Sequence, residues 1–191
     1  MRPFEQSKLY CELELMLSAA ANKYLNIQKE AGRMSLDSIQ KVTHHWVARN
    51  RPQVIEFQFD LQTQRELVYM NLKNFRFYGP HAENVVSLVT MLNSWKAMAK
   101  EMSVRTFCTP DSVIKKQFHG AYKVLELLGA PAASFIAFNQ LHRETLQTME
   151  QRQAEKREYE SRKFGVEMPW SPKLGSNGGQ PLENPFENMF D

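Results

Sequence analysis

Cysteine is scarce: the 191-residue chain has only Cys11 and Cys108, far apart and with no second pair. That excludes a disulfide framework and every CxxC zinc or redox arrangement. The expected setting is reduced and intracellular, either cytoplasmic or nuclear. Long apolar runs are also missing. No stretch approaches the roughly 18 uninterrupted apolar residues of a membrane span, and the opening MRPFEQSKLYCELE has no apolar leader core. Neither a signal peptide nor a spanning helix is expected. Charge of one sign is in short supply, with 24 Lys+Arg against 21 Asp+Glu and a net charge of +3. Such a mild excess permits acidic partners but lacks the basic stripe of a nucleic-acid reader. HExxH, GxSxG, paired-carboxylate motifs and phosphate-cradling glycine loops do not occur. The sequence therefore assigns no catalytic residue, metal ligand or cofactor.

What is present is ordinary for a globular protein: 42% apolar and 24% charged residues. Residues 1–163 are expected to form one domain, with a solvated helical extension near residues 150–163. The segment EQRQAEKREYESRK holds five basic and four acidic side chains, and Glu158 and Arg162 sit at pairing distance along a helix. Residues 164–191 are dense in Pro, Gly, Asn and Ser and read as a disordered tail.

Helical periodicity dominates the body. Leu9, Leu13, Met16, Leu17, Ala20, Tyr24 and Ile27 form one stripe of a helix expected over residues 4–31, stopped by Gly32. A second helix starts from Ser35 as N-cap, with Leu36, Ile39, Val42, Thr43 and Trp46 inward. Further helices are expected over residues 82–102, after the Thr109-Pro110-Asp111 start signal, and from Pro131. Between the second and third lies QVIEFQFDLQTQRELVYMNLKNFRFYG. There Ile55, Phe57, Phe59 and Leu61 alternate with Glu56, Gln58, Asp60 and Gln62, and Val68, Met70 and Leu72 alternate in a returning segment. A period of two describes strands. The expected fold class is thus α+β, predominantly helical, with about five helices on one face of a small two- or three-stranded antiparallel sheet.

Candidate binding residues follow from that picture. A short sheet has a free edge that recruits extended peptides, which makes Glu56, Gln58 and Asp60 possible edge contacts. Arg49 and Arg51 form a possible basic patch, although cations at a helix C-terminus are already explained by the dipole. His44 and His45 are adjacent, so they cannot chelate one metal as an i, i+4 pair does. His142 falls within an apolar stripe and suggests a titratable group beside a pocket. Gly120 interrupts the outer face of a helix, which is read equally as room for close approach of another helix or as a tolerated surface defect. In the tail, Asn184-Pro185-Phe186 resembles the Asn-Pro-Phe tripeptide bound by EH domains of endocytic adaptors. Met189 and Phe190 extend it into an acidic-aromatic recruiting segment. The chain is expected to be a non-catalytic intracellular interaction domain, adaptor or regulatory, with a partner-recruiting tail. The alternatives are a chromatin or nucleic-acid-associated regulator using the basic patch, and a small-molecule binder or enzyme with a pocket near His142.

Overall fold

The computed structural model of the chain describes residues 1–104 and 107–164. Two units are distinguished, Met1–Gln153 and the part beginning at Ala154. Six α-helices are found among the described residues: α1 (Pro3–Glu30), α2 (Leu36–Ala48), α3 (Leu61–Met70), α4 (Val85–Val104), α5 (Asp111–Leu127) and α6 (Ala132–Phe164).

In the first unit α1 is central and packs against α3, α4 and α5. Its buried face is Leu9, Tyr10, Leu13, Leu17, Ala21, Tyr24 and Leu25, and each large side chain so buried contributes about 1.5–3 kcal/mol. Leu92, Trp95 and Met102 of α4 and Ile114, Phe118 and Leu125 of α5 complete the core. Both α1 and α5 end on a left-handed glycine. Gly32 has φ 68° and Gly129 has φ 63°, and the next amide reaches back to close the helix: Arg33 to the Gln28 carbonyl at 3.0 Å, Ala130 to that of Leu125 at 2.9 Å. A side chain at 129 would also collide with the Tyr78 ring.

The small sheet is not there. Among the described residues there is no strand, and the fold is all-helical rather than α+β. Residues 61–70 form α3, where the expectation was the end of a first strand at Leu61, a turn over residues 62–65 and a returning strand over residues 66–72. Asp60 caps it by accepting from the Thr63 amide at 2.8 Å. The helical period was hidden because Gln64 and Arg65 lie on the buried face with Leu61, Leu67 and Val68. Arg65 fills that position through Nε to the Leu92 carbonyl at 3.0 Å, a hydrogen bond to Asn93 and an ion pair with Glu66.

Residues 55–60 are an irregular connector. Its alternation of burial is real for Phe57, Phe59 and Leu61, whereas Ile55 is 75% exposed. Helix side chains, not a neighbouring strand, satisfy the Phe57 backbone: its amide donates to Asn22 Oδ1 at 3.2 Å, and its carbonyl accepts from Gln64 Nε2 at 2.8 Å. The Gln58 amide closes a turn on the Ile55 carbonyl at 3.2 Å. Two other connectors are pinned the same way. Gln28 both accepts from the Arg76 amide and donates to its carbonyl, and Gln6 does so with Thr109. Residues 75–78, expected as either a third short strand or a continuation past a bulge, are accordingly another connector, with Phe75 and Phe77 packed beside Tyr24.

Smaller departures have local causes. On α2 the buried residues are Ser38, Val42 and Trp46, while Leu36 and Thr43 face outward. The helix is held at its start by Asn71, whose Oδ1 accepts from the Ser35 amide and whose Nδ2 donates to Ser38 Oγ. Pro110 is the N-cap of α5, one residue later than expected. In the second unit the side chains of residues 154–163 are exposed. They carry the Glu158–Arg162 ion pair and a Lys156–Glu160 pair at 3.8 Å.

Candidate interaction groove

On α1, Cys11, Leu15, Ser18, Ala19 and Asn22 recur at three- and four-residue spacing, nearly opposite the stripe that enters the core. They form one wall of a groove of about 680 Å³ whose other wall is Gln58, Phe59 and Asp60, with Gln64 beneath. The wall from α1 mixes apolar Cys11, Leu15 and Ala19 with polar Ser18 and Asn22, and Leu15 is 71% exposed. Leu15 lies one turn from the exposed thiol of Cys11 on this face.

The connector wall is held rigidly. Asp60 caps α3 and forms an ion pair with Arg51, whose guanidinium stacks 4.5 Å from the Trp46 ring centre. Burial alone would raise the Asp60 carboxyl, but hydrogen bonds from Thr63 and Arg51 outweigh it and hold it below the ordinary carboxylate value. At the base, Gln64 Nε2 donates to the Ser18 and Phe57 carbonyls, while its buried Oε1 has no hydrogen-bond partner. With Glu14 on the rim, the groove offers apolar walls and acceptors. That combination suits a peptide side chain or apolar segment flanked by N–H donors or cations.

The structure brings together only some of the residues singled out from the sequence. Gln58 and Asp60 line the groove, but as parts of a connector, since no sheet edge exists for them to occupy. Glu56 sits at a left-handed φ of 54° and accepts from Asn26 at 2.9 Å. Arg49 is exposed at the end of α2, whereas Arg51 is committed to Asp60 and Trp46, so the two do not form a free basic patch. His44 and His45 are exposed. His142 is half-buried, with its ring 4.5 Å from that of Phe118 and 6.4 Å from that of Phe138. Burial, together with nearby Lys115, lowers its pKa. Asn184, Pro185, Phe186, Met189 and Phe190 lie outside the described residues. Sequence reasoning missed Cys11, Leu15 and Gln64. The one available signal was Leu15, an apolar residue on the wet side of the α1 pattern.

Among the described residues, no group of three or more His, Cys, Asp or Glu side chains converges on a metal-sized site, and no helix is long and apolar enough to cross a membrane. Compared with family models, curated proteins and solved structures, the chain has no match.

Proposed function

We propose that this chain is a non-catalytic protein-interaction domain of adaptor or regulatory type. Its α1 groove holds a segment of one partner, and its tail recruits another through residues 184–190. The observation that carries this is the exposed Leu15 and Cys11 wall facing Phe59 across an open groove of about 680 Å³. Apolar walls rimmed by polar groups are the usual anatomy of a surface that binds a peptide. The two exposed unpaired thiols support an intracellular setting.

Cys11 supplies the test. In a Cys108→Ser background, a benzophenone maleimide attached to Cys11 places a photocrosslinker inside the groove. Illumination in cell extract should yield a discrete adduct that a Leu15→Glu substitution abolishes while the helical circular dichroism spectrum is kept. The same adducts from wild type and Leu15→Glu would refute the groove. For the tail, chains ending at Lys163 should lose a subset of partners in affinity purification; an unchanged set removes its recruiting role.

A further inference from the structure

Gly120 lies in the interior of α5, where glycine weakens a helix relative to alanine. A glycine inside a helix is commonly explained by a neighbour that leaves no room for a Cβ. Gly120 is half-buried, and among the described residues a Cβ there would meet nothing within 4 Å. The fold itself gives no reason for the bare backbone, and the space above it opens into a second groove, of about 320 Å³, between α4 and α5.

Three further features mark this groove. On the α4 side, Ser94 and Ala97 are exposed and small, so both walls permit the close approach that lets one helix lie between two others. On the α5 side, Lys116 and Lys123 stand one turn before and after Gly120. Between them Gln117 is 6% exposed, with Nε2 donating to the Glu101 carboxylate and a buried Oε1 that has no partner among the described residues. The lining residues run from 90 to 101 on α4 and from 113 to 123 on α5, about 15 Å or three helical turns.

We propose that the α4–α5 groove is the docking site for an acidic helix of a partner protein, seated against the bare backbone at Gly120. Its carboxylates pair with Lys116 and Lys123, and a side-chain donor on its inner edge reaches Gln117. A helix fits better than nucleic acid because, among the described residues, the groove is lined by no arginine, phenylalanine, tyrosine or tryptophan to fork onto phosphate or stack on a base, and His119 is the one ring in its lining. The α1 groove plays no part in this inference, so either can fail without the other.

The test uses the full chain and a capped peptide of about 15 residues, roughly four helical turns, made of Glu, Ala and Ser with its glutamates on one face. Addition to isotope-labelled protein should shift the backbone amides of Gly120, Ala97 and Ser94 in a saturable, salt-sensitive way. Lys116→Glu with Lys123→Glu should weaken binding at least about tenfold. Gly120→Leu should abolish it while the melting temperature stays at or above wild type, which separates a blocked groove from a damaged fold. A peptide with lysine for every glutamate should not bind. Absent shifts, or Gly120→Leu and the lysine reversals binding as wild type, would overturn the proposal. So would a single-stranded oligonucleotide that occupies the same amides more tightly than the peptide.

Discussion

Replacing Gly120 with alanine isolates one physical effect. The residue has helical surroundings on both sides within α5, and an added Cβ meets no atom within 4 Å. The methyl group therefore neither clashes nor gains packing, and what remains is the conformational freedom lost by glycine on entering a helix. That term is about 0.8–1.0 kcal/mol in favour of alanine. For a cooperative unit of about this size, 1 kcal/mol moves the melting temperature by ~2–4 °C. The expected outcome is a urea midpoint shifted upward at unchanged m value, and a melting temperature ~2–4 °C higher at equal scan rate. An unchanged or lower midpoint would refute the reasoning. It would mean either that residue 120 is not in a regular helix or that something already occupies the space above it.

Other consequences of the packing are equally direct. Arg65→Met keeps the stem but removes the fork that holds the Leu92 carbonyl and Asn93; a loss of about 2–3 kcal/mol is expected in urea unfolding. Lysine at 65 should restore little of it because it lacks that fork. Asn71→Ala removes the tie between the start of α2 and the end of α3, including the hydrogen bond to the Leu67 carbonyl at 2.8 Å. Amide exchange across α2 should then accelerate before that of α1. Acid should weaken the fold through Glu5 and Asp60. Arg152 holds the Glu5 carboxyl below its ordinary value despite burial, and Asp60 is also depressed. Carboxyls lowered in the folded state stabilise it fully above the unfolded value, and that stability is lost as pH falls below ~4 through the folded values. Glu5→Gln and Asp60→Asn should each flatten the stability profile below ~pH 4; an unchanged slope would dismiss the pairings.

The helices could be read from the sequence wherever the inward face was apolar. In α1, Leu9, Leu13, Leu17 and Tyr24 of the stripe were legible, as were the Gly32 stop and the Glu158–Arg162 pair, whereas Ile27 is exposed and Tyr10, Ala21 and Leu25 are buried without having been singled out. The reading failed at residues 53–79 for an identifiable reason. Patterns of apolar residues treat glutamine and arginine as wet, and α3 buries Gln64 and Arg65. With those two removed from the stripe, its 3.6-residue period disappears and the alternation of Phe57, Phe59 and Leu61 extends into the helix by default. The alternation matched the burial of Phe57, Phe59 and Leu61, but the backbone beneath it turns: Glu56 is left-handed and the Gln58 amide closes on the Ile55 carbonyl at 3.2 Å. What holds this turning chain is Asn22 and Gln64, which only the fold brings together. The α1 groove was invisible for the same reason, because its two walls are some 40 residues apart in sequence.

Pinning a β-prone connector by a few amides, rather than by a ladder, has a cost when the protein opens. VIEFQF, residues 54–59, is rich in branched and aromatic side chains and contains no proline or glycine, the composition that self-associates in stacked, dry sheets. In the native chain Asn22 and Gln64 hold the Phe57 backbone and the phenylalanine rings are covered. Once heat breaks those few bonds, nothing local prevents molecules from zipping together through this hexapeptide. Melting should therefore turn irreversible and depend on heating rate and protein concentration, with the vulnerability residing in six residues and not in the bundle as a whole.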